Sequence, residues 1–363
     1  MITIFCIQPK GFNVGNAAIN LAMKRMAYEQ FGRLVNLVSI PATPKYDGGS
    51  LYGLSRNTIH QINRMADGVI IGGGNLFEND ELFIDKNALR SLMPPMMIFS
   101  VSRGRIYNRF GDLADRTDVI PDDNLKAVCQ RADYVLARDA ATMSYLSSLN
   151  IEHALEGGCP TVQLCKLSSE LPPLPAGEDV GALVSIRSPS LMNIPIRLQS
   201  TIPGLVRDLV ETLRHRGYRR VRLVCHDPRD LEFANSFPGV DAVYTSDVRE
   251  YLSLLAAAEL AVSFRLHATL PCFSFGVPAV NISYDERAKS LLETIGLSDW
   301  DIDLVESDSV VEDVTNRLDN IEVLSESVQK ARDSDWNGTV RTMVHSMSDF
   351  ATDVANYART GKY

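Results

Sequence analysis

A chain of 363 residues is longer than one ordinary domain, so two units of roughly 150 to 200 residues each are expected. Its 45% hydrophobic and 22% charged residues are those of a folded globular protein, and no stretch reaches the ~18 apolar residues of a membrane span. The balance of 36 basic against 45 acidic residues, a net charge of −9, excludes the basic face of a dedicated nucleic-acid binder while leaving room for a local anion pocket.

The start, "MITIFCIQPKGF", has neither the basic segment nor the long apolar run of a signal peptide. Cys6, Cys129, Cys159, Cys165, Cys225 and Cys272 form no Cys-x-x-Cys pair and sit mostly in apolar runs. They read as reduced thiols of a cytoplasmic protein, one that can still touch the inner face of a membrane.

Short apolar runs then alternate with amphipathic stretches. "ITIFCI" precedes a helical segment from Asn16 to Phe31, with Ile19, Met23, Met26 and Ala27 on one face, and "LVNLVSI" follows. "DGVIIGGG", "PMMIFSVS" and "ADYVLARD" continue the β-α-β rhythm. Lys166 to Asp179, "KLSSELPPLPAGED", reads as a linker. The rhythm restarts with "VGALVSIR", a helix from about Thr201 to Arg216, "RRVRLVCHD", helices from Pro228 and Val248 around "VDAVYTSD", and "ELAVSF". Helical periodicity returns over Ser309 to Arg332 and Val340 to Arg359, where Met343, Met347, Phe350 and Val354 share a face. "WNGT", Trp336 to Thr339, reads as a turn before the last helix. The domain expectation is therefore 1–170 and 180–335, with 336–363 a helix able to pack back on the first half.

In open parallel sheets ligands gather at the carboxyl ends of strands, so the strand-to-helix junctions hold the candidates. "KGFNVGNAAI" offers Asn13, Gly15 and Asn16, either as a phosphate loop or as a tight turn with Asn16 capping the helix. "IIGGGNLFEND" offers Gly72, Gly73, Gly74 and Asn75, whose backbone can approach a ligand, and the acids Glu78 and Asp80 as general bases or as plain solvated acids. "LARDAATMSYL" puts Arg138 at a strand end beside Asp139, and "SIRSPS" does the same with Arg187. "VCHDPRD" contains His226, a candidate for loop or acceptor contacts, with Asp227 and Asp230; nothing there has metal-ligand spacing, and a turn opening a helix is the default. "SFRLHATLPCFSFGVP" carries the strongest signal. Arg265, Leu266 and His267 fall where a buried strand meets a helix start, a position that favours an anion. Arginine adds a planar charged fork, and histidine can transfer a proton near neutral pH.

The run from Glu259 to Leu297, with Arg-Leu-His, a small-residue helix, Gly-x-Pro and a Ser-Tyr-Asp strand end, resembles the polysaccharide pyruvyl transferase family. "FNVGNAAI", "GGGNLF", "ARDAATMSYL" and "GGCPT" agree with it in order and spacing. The resemblance implies two Rossmann-like α/β domains with parallel sheets, similar to the GT-B glycosyltransferases, and an active site in the interdomain cleft. It implies phosphoenolpyruvate as co-substrate, no cofactor or metal, and a saccharide acceptor, lipid-linked or nucleotide-linked, that becomes a pyruvate ketal of a cell-surface or exopolysaccharide precursor. The donor would be held by Arg265, Leu266, His267, Arg138 and Arg187, with His267 as the acid. Where family members carry an aspartate after the glycine triplet this chain has Asn79, which leaves the base between Asp80 and Glu78; Asn16 would cap or bind. Acceptor choice would lie in loops such as Lys45 to Arg56 and Gly104 to Asp118. Alternative readings are a nucleotide-sugar glycosyltransferase, which would use Asp285 and Glu286, and a non-catalytic glycan-binding protein of the same shape.

Overall fold

The computed structural model describes residues 1–360 other than 33, 47 and 80. The first six-stranded parallel sheet is built from β1 (Ile2–Gln8), β2 (Val35–Pro41), β3 (Gly68–Gly74) and β4 (Met96–Val101). After a small antiparallel hairpin, β5 (Ile106–Tyr107) and β6 (Leu113–Ala114), it is completed by β7 (Tyr134–Ala137) and β8 (Ala154–Glu156). The order across it is β2-β1-β3-β4-β7-β8.

The second sheet uses β9 (Ala182–Ile186), β10 (Val221–Cys225), β11 (Asp241–Val243), β12 (Leu260–Ser263), β13 (Ala279–Ser283) and β14 (Asp301–Asp303), in the order β11-β10-β9-β12-β13-β14. Strands covered by helices on both faces must be apolar throughout, and β3, β4, β9, β10, β12 and β13 are buried at every residue. In each sheet the order reverses beside the first strand, between β1 and β3 and between β9 and β12. The crevices at those two reversals face the ends that carry the candidate loops.

Three segments differ from their sequence reading. "WNGT" is not a turn: it lies within the first turns of the helix Asp335–Thr360, because Trp336 and Thr339 are buried and Thr339 packs onto Gly158. The periodicity over Ser309 to Arg332 is two helices, Val310–Asp319 and Ile321–Asp333, broken at Asn320. The start of the linker is structured as a 3₁₀ run, Pro160–Glu170, pinned to the second half: the Cys165 amide donates to Ser274 Oγ at 2.9 Å, and that hydroxyl donates to the Val162 carbonyl.

Helix Asp335–Thr360 crosses back to the first sheet. Phe350 meets Phe31 and Tyr134 edge to face, and Tyr134 OH donates to Asp353 Oδ2 at 2.6 Å. A side chain at Gly68 would collide with Val354 and Phe350, so this glycine admits the helix. No described helix is long and apolar enough to cross a membrane.

The halves are also clasped at one end of the cleft. Arg105 donates to Glu286 at 2.9 Å, Tyr107 OH donates to Asp303 Oδ2, and the amides of Ala140 and Ala141 donate to Thr294 and Ser290. These contacts hold the hairpin β5-β6 and the helix Ala140–Ser148 against the helix Glu286–Thr294.

Candidate active site

The helix Val14–Phe31 begins two residues earlier than its periodicity suggests, and the cap is Asn13 rather than Asn16. Asn13 Oδ1 accepts from the Gly15 amide at 2.9 Å, and the Val14 amide donates across the cleft to the His226 carbonyl at 2.9 Å. Asn16 therefore sits in the first turn and faces the cleft.

Gly15 is the close point between the halves. A Cβ there would lie 2.9 Å from His267 Cβ and 3.0 Å from Asn13 Oδ1. Gly15→Ala should thus lower stability by about 1–3 kcal/mol through overpacking, read by chemical denaturation; an unchanged midpoint would show that the halves part easily.

The glycine triplet works mainly in packing. A Cβ at Gly72 would strike Met23 and one at Gly73 would strike Ile19, while Gly73 and Gly74 hold φ of 76° and 78°. Of these residues Gly74 and Asn75 reach the cleft.

The cleft encloses a cavity of about 190 Å³. Arg116, Arg138, Arg187, Arg265 and Arg287 line it, against Asp285 as the carboxylate on its wall. Arg138 is buried, with its Nε 3.5 Å from Asp139 Oδ2 and without a hydrogen-bond partner. Arg187 leans on Asp230 at 3.5 Å and on Asp227 at 3.8 Å; burial, then the field of Arg265, pull its pKa down. Arg265 has no ion-pair partner among the described residues, so the cavity carries uncompensated positive charge. Arg287 pairs with Asp285 and, at 2.7 Å, with Glu78. Burial alone would raise the Asp285 carboxyl, but pairing with Arg287 outweighs it and holds the group below the usual carboxylate range.

Glu78 is not free to act as a base. It is fully buried, accepts from the Gly104 amide at 2.8 Å, and lies 2.7 Å from Arg287 and 3.7 Å from Arg116. It does not line the cavity. Asp80, the other candidate base, lies outside the described residues. Arg116 and Arg287 escaped the sequence reading: Arg287 follows the Ser-Tyr-Asp strand end by two residues, within the run Glu259 to Leu297, whereas the Arg116 loop carries no comparable mark.

The Arg-Leu-His turn owes its shape to Pro271, four residues after His267. Arg265 occupies the cap position of helix Leu266–Phe275, and His267, with φ −87° and ψ 19°, is not yet helical. Pro271 has no amide to offer the carbonyl four residues back, which is that of His267. Tyr251 OH donates to this carbonyl instead, at 2.8 Å.

The same phenol oxygen lies 3.0 Å from His226 Nε2, and Ser185 Oγ lies 2.8 Å from it. Since the phenol's one proton goes to His267, its oxygen accepts, and His226 carries its proton on Nε2. His226 Nδ1 is then a bare acceptor, without a partner, 3.5 Å from where a Gly15 Cβ would lie. Burial first, then Arg265, His267 and Arg187, hold the His226 pKa far below the ordinary histidine range. His267 is likewise held neutral, by burial and then by Arg138, Arg265 and Arg287. Its Nε2 lies 3.6 Å from Cys159 Sγ, which also meets Thr161 Oγ1 at 3.1 Å. Among the described residues no three His, Cys, Asp or Glu side chains could hold a metal ion together.

Two parallel-sheet α/β domains with an arginine-lined cavity where their crevices meet define a GT-B-like protein. The chain belongs to the polysaccharide pyruvyl transferase family, whose model matches residues 13–286. It is 31% identical over 80 residues to the amylovoran biosynthesis protein AmsJ of Erwinia amylovora, a match covering 22% of this chain and 19% of that protein.

Among solved structures, the putative UDP-N-acetylglucosamine 2-epimerase of Listeria monocytogenes superposes with a TM-score of 0.62 at 13% identity, over 99% of this chain and 98% of that one. The UDP-GlcNAc 2-epimerase of Neisseria meningitidis gives 0.55 at 10% identity, over 99% and 100%. The wall teichoic acid polymerase TagF gives 0.52 at 12% identity, over 99% and 90%. At these identities the likeness is one of fold.

Proposed function

We propose that the protein is a ketal-forming pyruvyltransferase that takes phosphoenolpyruvate as donor and a saccharide of a cell-surface or exopolysaccharide precursor as acceptor, in the cytoplasm. The observation that carries this reading is the gathering of Arg138, Arg187, Arg265 and Arg287 around His267 in one partly enclosed cavity. A molecule with a carboxylate and a phosphate a few bonds apart matches several guanidinium groups in a site where charges are poorly screened. The start of helix Leu266–Phe275 adds backbone dipoles to the same corner.

In this mechanism His267, charged once the anion is bound, donates a proton to the methylene carbon. C2 becomes electrophilic as the methyl group forms. A sugar hydroxyl attacks C2, and its proton passes to His226 Nδ1, the titratable acceptor on the cavity wall that no ion pair occupies among the described residues. The C2–O bond to phosphate then breaks. A second hydroxyl closes the ketal and its proton leaves with the phosphate; His226, whose pKa is low, gives the first proton back to solvent as the products depart, replacing the one that His267 took up on donor binding, so two protons lost by the diol are matched by one gained at carbon and one gained by phosphate.

Incubation with phosphoenolpyruvate and a panel of saccharides should release phosphate and add to one of them the mass of pyruvate less water. Stabilisation by UDP sugars, with no response to phosphoenolpyruvate, would instead make the cavity a nucleotide-sugar site.

The depressed His267 has a further consequence. A bound trianion offsets the fields of the arginines, raises the imidazole pKa and draws a proton from solution. Calorimetric titration of phosphoenolpyruvate at pH 7 in two buffers of different ionisation enthalpy should show net proton uptake, and equal heats would mean that the ring does not change state.

A further inference from the structure

Beside the guanidinium cavity lies a second one, of about 380 Å³, between the end of β1 and the first turns of helix Val14–Phe31. The two share Asn13 and Asn16, so they are compartments of one cleft. Their chemistry differs. The second is walled by amides, with Gln8 and Asn20 on its lining and Lys10 as its charged side chain.

Gln8 is 6% exposed and Asn20 9%, and each holds a buried side-chain oxygen that receives no hydrogen bond among the described residues. Buried acceptors of this kind are rare unless a donor arrives from elsewhere. At the rim Phe12 is 63% exposed, a flat apolar face beside a polar compartment.

We infer that this compartment seats the acceptor, a neutral sugar ring whose hydroxyls donate to Gln8 and Asn20 and whose apolar face lies against Phe12. A sugar supplies the donors that the amides lack, whereas an anion would bring further acceptors to meet them. A ring held there places its next hydroxyls towards Asn13 and Asn16, at the boundary with the donor cavity and near His226 Nδ1 beside Gly15. The inference rests on the pyruvyltransferase reading for the identity of the partner cavity. The seat itself is testable without turnover.

Saturation-transfer NMR of a panel of neutral methyl hexosides should show binding to the full chain, weakened about ten-fold or more in Gln8→Met and in Asn20→Leu, both close in volume to the native residues. Phe12→Ala should weaken it several-fold. Phosphoenolpyruvate affinity by calorimetry should stay within about two-fold in all three variants. In the transferase assay the same variants should raise KM for the saccharide and leave kcat largely unchanged.

Hexoside binding without any pyruvyl transfer would overturn the donor reading and keep the seat. Pyruvyl transfer with saccharide KM unmoved in folded Gln8→Met and Phe12→Ala would overturn the seat and keep the donor reading. No hexoside binding at all to the wild-type chain would also overturn the seat.

Discussion

Arg265→Ala should lower kcat/KM for phosphoenolpyruvate by about 10²–10³-fold, the size that follows from removing one charge-stabilising group from a dry site. Arg138, Arg187 and Arg287 all lie within reach of a carboxylate, but Arg265 has none among the described residues. Its charge therefore remains available for a ligand. Because it occupies the cap position before Leu266, it works beside the unsatisfied amides of that helix start, and the two effects converge on one oxyanion. Arg265→Lys restores the charge without the planar fork and should recover only part of the loss. Steady-state kinetics with donor varied measures both variants. Unchanged kcat/KM in Arg265→Ala would remove the anion from this corner of the cleft.

Glu78→Ala should cost about 1–3 kcal/mol of stability, because it removes a fully buried carboxylate from Arg287 and Arg116, each of which keeps one other acid, Asp285 and Asp118. Glu78 is where the halves exchange charge: its carboxylate meets Arg116 from the first half and Arg287 from the second, and the Gly104 amide closes the shell. Denaturant titration measures the loss, and Glu78→Gln separates the two possible jobs of the residue. A structural carboxylate leaves Glu78→Gln destabilised. Turnover lost at unchanged stability would return Glu78 to the role of base.

The alternation of apolar runs with amphipathic stretches already outlined two parallel-sheet halves, since strands buried on both faces must be apolar and helices covering them one-sided. The Arg-Leu-His junction was legible for a related reason: two ionisable residues between a buried strand and an apolar helix need a partner. The partners themselves were not legible. Glu78 and Arg287 are 209 positions apart, and nothing local in "GGGNLFEND" tells a solvated acid from one neutralised by a distant arginine. His226 was legible as a candidate contact in a turn but not as a proton acceptor, because the partners that set its tautomer, Ser185 and Tyr251, are remote in sequence. Trp336 to Thr339 read as a turn because Gly338 is a poor helix former; burial of Trp336 and Thr339 overrides that preference.

The return of helix Asp335–Thr360 to the first sheet has a consequence for biosynthesis. Phe350 and Val354 cover the ground beside Gly68, Phe31 and Tyr134. The half that leaves the ribosome first is therefore the last to be completed. Until translation passes residue 354 that apolar surface stays open to chaperones, and a premature stop in the final helix would strand a domain whose own sheet is intact.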